Sequence, residues 1–238
     1  MSRKQLPYLL PVRSLIFLLV FVTGAFISGK DIASISFIWS IVASTVNIFT
    51  LILVIYCSKR SETGFAELIN YEKGKTKPSE IILISLMMTG VGGAFMMIAG
   101  LLCFGTFPYM APMMIEPVPK VLALINVLVL PVSTALAEDG LYLGCGVNCI
   151  GNKKAAIFVP AFFYALQHCF IPTIFDVRYI LYRFLCFLPL TVILCFYYYK
   201  KRNPLPVMVG HAILDLATAM QIFATSFVPG LYEKMCGG

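Results

Sequence analysis

Charge is scarce in this chain of 238 residues: Asp, Glu, Lys and Arg together make up 12%, against 60% apolar residues. With a mean hydropathy of +0.90, the balance excludes a water-soluble domain, and the apolar runs are long enough to cross a bilayer as helices. Histidine is scarcer still, limited to His168 and His211, each inside an apolar segment. The glycines between 90 and 100 are not followed by Lys-Ser/Thr, so that stretch is not a phosphate loop. No disulfide framework is expected from the eight cysteines, since Cys57, Cys103, Cys169, Cys186 and Cys195 lie in or beside apolar runs and act there as small hydrophobes. Cys145 and Cys149 form a single C-x-x-x-C with no second pair, which is not a zinc motif. The net charge of +7 could suggest a nucleic-acid partner, but the basic residues sit between apolar runs, where they set membrane orientation instead.

What is present is an all-α, polytopic membrane protein of about seven transmembrane helices. The expected spans are 14–28, 35–56, 81–104, 121–143, 155–175, 179–199 and 205–228. The first follows a short basic stretch ending at Arg13; it resembles a secretory signal, but no small-x-small cleavage site precedes Gly29-Lys30, so it reads as a span. The third span is rich in glycine (Gly90, Gly92, Gly93, Gly100), a composition that suits close helix packing. Segment 59–80 is the one long polar loop, and the proline-rich segment 105–119 reads as a re-entrant or interfacial turn. One membrane domain results, with N-terminal helices over 1–118 and a core over 119–230. Arg3, Lys4, Arg13, the cations of 59–80, Lys153, Lys154, Lys200, Lys201 and Arg202 all fall on one side. This asymmetry predicts a cytoplasmic N-terminus. A prokaryotic plasma membrane is the expected compartment, and an endoplasmic reticulum membrane would leave the same signals.

Acids and histidines that are costly to bury mark a working site in a membrane protein. Glu138 and Asp139 stand together near the end of the fourth span, His168 lies in the fifth, and His211 in the seventh precedes Asp215 by one helical turn, on the same face. Adjacent residues point about 100° apart on a helix, so Glu138 and Asp139 are not expected to face one small site together. Asp139 then belongs either to the site or to the solvated helix end. Glu138 and His211 should lie roughly 7–12 Å below the cytoplasmic edge, with His168 deeper, which predicts a water-filled cavity open to the cytoplasm. Glu138, His168, His211 and Asp215 could supply a general base, oxyanion donors and an orienting group, or equally a metal site with nitrogen and oxygen ligands. Asn47 and Thr50 read as interhelical polar contacts.

These motifs resemble those of the CAAX-protease and bacteriocin-processing (CPBP) intramembrane endopeptidases, whose pattern is Glu-Glu-x-x-x-Arg, Phe-x-x-x-His and His-x-x-x-Asn/Asp on successive spans. Here they read Glu138-Asp139 with Leu143 at the arginine position, Tyr164-x-x-x-His168, and His211-x-x-x-Asp215. The resemblance implies that Glu138 activates water, that His168 and His211 stabilise the oxyanion or hold the water, and that Asp215 works beside His211. It implies a metal-free glutamate mechanism without a cofactor, zinc being the alternative. The implied substrates are membrane-associated peptides, either prenylated CAAX-type termini or leader and bacteriocin-like peptides. Asp139 shortens the second acid by one methylene, Tyr164 for phenylalanine is a mild change, and Leu143 leaves the motif cation missing. Arg183 is the candidate substitute for that cation, although an ion pair or snorkelling is its expected use. Two other classes fit the same residues: a non-catalytic relative acting as a membrane regulatory or immunity protein, and a small proton-coupled transporter whose buried acids and histidines form a relay.

Overall fold

The computed structural model describes residues 1–107, 109 and 111–236. Its regular elements are helices, and the described residues add only an isolated bridge between Phe170 and Thr173. A 3-10 turn over Arg3–Leu9 leads into α1 (Val12–Ser28), and α2 (Trp39–Arg60) follows. The short α3 (Phe65–Leu68) precedes α4 (Pro78–Phe104) and α5 (Lys120–Asp139). α5 runs on as a π-helix over Gly140–Val147. α6 (Lys153–His168), α7 (Val177–Lys201), α8 (Leu205–Phe227) and the terminal α9 (Leu231–Cys236) complete the chain.

Local chemistry sets the ends. Gly29 and Gly105 adopt the left-handed conformation that closes α1 and α4. Asn152 caps α6 through Ala155 N, and Asp176 caps α7 by accepting from Arg178 N and Tyr179 N. α5 occupies the centre, packed between α2 and α8; α7 packs on α6 and α4, and α4 also on α8. α1 leans on α6 and α2. Six helices among the described residues are long and apolar enough to cross a membrane. α6, the expected fifth span, has 16 residues. At 1.5 Å per residue it covers about 24 Å, less than the roughly 30 Å of hydrocarbon core. It stops at His168 rather than running to 175, because the residue before Pro172 disfavours helix and Asp176 starts the next one.

Several expectations are corrected. The first span begins at Arg3; Leu6 and Leu10 are fully buried with Val54, Leu68, Leu141 and Tyr142, so the basic stretch before Arg13 packs into the bundle. The fourth helical element ends at Val147, beyond the expected 143. Loop 59–80 folds its apolar residues back into the bundle. Phe65 lies where a Cβ on Gly140 would meet its ring at 2.8 Å, and Leu68 where a Cβ on Gly144 would meet it at 3.1 Å, so only glycine admits this approach. Asn148 clamps the segment by accepting from Asn70 Nδ2 and donating to Leu68 O, while Tyr198 donates to Ile69 O. In the third span, Gly100 packs on Tyr109 and Gly92 touches Leu190, whereas Gly90 and Gly93 meet nothing. Segment 105–119 contains a single 3-10 turn, Pro112–Met114. It lies on the end of α8, with Thr225 Oγ1 donating to Ile115 O and Val118 N donating to Ser226 Oγ; Pro108 and Met110 of this segment are outside the described residues.

Candidate active site

Glu138 sits on the last turn of α5, just before the π-helical continuation, and is 2% exposed. A carboxylate this deep must have its oxygens hydrogen-bonded or paired, and both are. Oε1 accepts from Arg13 Nη2 at 2.7 Å, and Oε2 accepts from Gln167 Nε2 at 2.6 Å. Arg13, on the first turn of α1, is fully buried. Its Nε donates to Gln167 Oε1 at 2.6 Å and its Nη1 to Thr50 Oγ1 at 3.0 Å. Tyr142 O–H donates to the same Gln167 oxygen at 3.1 Å.

Two histidines face the other side of Oε2. His168 Nε2 is 4.0 Å from it and His211 Nε2 is 3.9 Å from it. These distances exceed a direct hydrogen bond and suit groups that share a small molecule between them. His168 ends α6 and stacks face to face on Phe187 of α7, with centroids 3.6 Å apart. Arg183 donates from Nε to His168 O and from Nη2 to Ile171 O, each at 3.2 Å, and lies over the same Phe187 ring. It therefore ties down two carbonyls at and just after the end of α6; it pairs no acid among the described residues, and it is buried.

His211 is ringed by carboxylates. Asp139 Oδ2 is 3.5 Å from Nδ1, and Asp215 Oδ2, one turn along α8, is 3.6 Å from Nε2. Tyr164 O–H bridges, 2.9 Å from Asp139 Oδ1 and 2.9 Å from His211 Nδ1. Tyr164 is held in turn by Tyr142, stacked at 4.4 Å. Asp139 is wholly buried, which excludes helix-end solvation. Glu138 and Asp139 were not expected to face one small site together, and they approach different edges of His211. They do point apart, but the imidazole carries a nitrogen on either edge, and one ring reaches both acids.

All five residues expected from the sequence thus meet, with His168 and His211 nearly equidistant from one oxygen. Two cavities among the described residues, of about 330 and 100 Å³, are lined by α6–α7 residues around Lys153 and by α4–α7 residues around Phe95, and neither is the expected cytoplasmic cavity. Ile69 of segment 65–69 packs on Ala135 and Met208, with Phe65, Leu136 and Ala212 against the same cluster. Arg13, Gln167 and Thr50 were missed as site residues. Arg13 lay among basic residues that signal orientation, and Gln167 carries no charge to mark it, although its position beside His168 was visible. Asn47 does bridge helices, donating to Thr134 Oγ1 at 2.8 Å. Among the described residues, no group of three or more His, Cys, Asp and Glu side chains is arranged to hold a metal ion, and both oxygens of Glu138 already accept hydrogen bonds.

Residues 120–217 match the model of a protein family described as type II CAAX prenyl endopeptidase Rce1-like. No curated protein and no solved structure matches the chain.

Proposed function

We propose, from the match of residues 120–217 to the Rce1-like family, that the chain is a CPBP-type intramembrane endopeptidase in which Glu138 is the general base. The observation that carries this reading is the convergence on one carboxylate oxygen, in a buried interior, of the Nε2 atoms of two histidines from two other helices. Water held between Glu138 Oε2, His168 Nε2 and His211 Nε2 would give a proton to Glu138 as its oxygen adds to the scissile carbonyl carbon. The oxyanion would accept hydrogen bonds from the histidine N–H groups, pre-aimed in a water-poor site. Glu138 would then return the proton to the leaving nitrogen as the C–N bond breaks. Asp139, Tyr164 and Asp215 offer acceptors at both nitrogens of His211, the arrangement a doubly protonated ring satisfies. The reading uses no metal, so hydrolysis should persist after exhaustive chelation; loss on chelation and recovery with zinc would count against it.

The substrates of this reading are peptides already at the membrane: prenylated CAAX-type termini or leader-type peptides. The cytoplasmic N-terminus rests on the distribution of Lys and Arg, and labelling of a cysteine added near residue 2 by an impermeant thiol reagent in sealed vesicles of known sidedness tests it. A second reading, a non-catalytic relative acting through binding, is favoured by one observation: Glu138 and Asp139 are buried. If Glu138→Gln leaves the biological phenotype intact while wild type cleaves no peptide in a lipidated pool, the second reading takes over.

A further inference from the structure

The motif cation is missing from α5. Leu143, which stands at its position, is fully buried in an apolar cluster with Ile84, Ile157 and Leu194, away from Glu138. Yet Glu138 is not without a cation. The guanidinium of Arg13 spends one donor on Glu138, one on Thr50 and one on Gln167, whose amide then donates to the second oxygen of Glu138. Both oxygens are therefore fixed by one residue, directly and through Gln167, and Oε2 is left aimed at the two histidines. Three acids and two histidines crowd this interior, and among the described residues Arg13 is the Lys or Arg side chain paired with a site carboxylate.

We propose that Arg13 is a positioning residue of the active site, supplied by the first helix in place of the cation absent at Leu143. Arg13 lies outside residues 120–217, so the core over 119–230 is not a complete catalytic unit and requires α1. Lysine cannot replace it, because an ammonium lacks the planar fork that reaches Glu138, Thr50 and Gln167 together. The kinetic part of this inference rests on the endopeptidase reading; the pairing does not.

The test is a cycle of full-length proteins in detergent: wild type, Arg13→Met, Arg13→Lys, Glu138→Gln and Arg13→Met/Glu138→Gln. Thermal unfolding is read for all five and peptide hydrolysis for the variants that keep Glu138. Removing one partner of a buried ion pair strands the other, so Arg13→Met should lower Tm strongly beside Glu138 and much less beside Gln at 138. Additive Tm shifts would overturn the pairing. For folded Arg13→Met, kcat should fall by about 100-fold with KM little changed, as expected for a misplaced catalytic group. Arg13→Lys should recover only part of that loss. A folded Arg13→Met with wild-type kcat, or a lysine variant equal to wild type, would overturn the positioning role. If wild type hydrolyses no peptide, the endopeptidase reading fails by itself, and the Tm cycle still decides whether Arg13 holds Glu138.

Discussion

Tyr164→Phe should cripple this protein even though it restores the residue of the family pattern. The substitution removes one hydroxyl, and that hydroxyl is the donor to Asp139 Oδ1 and the 2.9 Å partner of His211 Nδ1. Asp139 is wholly buried; its Oδ1 accepts from this hydroxyl, and its Oδ2, without a hydrogen bond, keeps only the 3.5 Å approach of His211 Nδ1. Stranding a buried acceptor costs about 1–3 kcal/mol, with a carboxylate at the upper end, which corresponds to a Tm loss of about 2–12 °C in a chain of this size. The ring itself should stay in place, because its stacking on Tyr142 at 4.4 Å does not use the hydroxyl. The kinetic effect therefore isolates the orientation of His211: kcat should drop by about 10- to 100-fold with little change in KM. Differential scanning fluorimetry of purified protein and a steady-state peptide assay measure the two quantities. A Tyr164→Phe variant with wild-type Tm and kcat would refute the claim that Tyr164 couples Asp139 to His211.

Arg183→Met should release the carbonyls of His168 and Ile171 at about 1.5–3 kcal/mol for each charge-assisted bond; thermal unfolding checks the loss, and a fall in kcat should accompany it as His168 loses its fixed helix end. Asn148→Ala should free segment 65–70 by removing the bonds to Asn70, Leu68 and Tyr198. Limited proteolysis within 59–80 should then become faster while the remainder of the bundle stays protected.

The architecture was largely legible because helical spans announce themselves by length and apolarity, and the placement of the helices held for six of them within a few residues at most ends. The fifth was overextended, since apolar residues continue past His168 while Pro172 and Asp176 end the helix. The five site residues were legible because ionisable groups are rare enough in apolar runs that each one counts. What stayed hidden was long-range pairing. Arg13 and Glu138 are 125 residues apart, and a cation near the start of a span carries the same local signature whether it faces the cytoplasm or turns inward. Gln167 and Tyr164 were visible residues with invisible duties, because their hydrogen bonds arise only when α5, α6 and α8 are brought together. The folding-in of Phe65–Ile69 was likewise masked by the charged residues on either side of it.

The most direct test of the account compares wild type with Glu138→Gln on a pool of lipidated and unlipidated peptides, read by mass spectrometry. Glutamine preserves the acceptor for Arg13 and the shape of the side chain while removing the base. The account predicts cleavage products from wild type, with cut sites that define the substrate class, and none from an equally folded Glu138→Gln. Cleavage by both proteins at similar rates would contradict the assignment of Glu138 as the base that activates water.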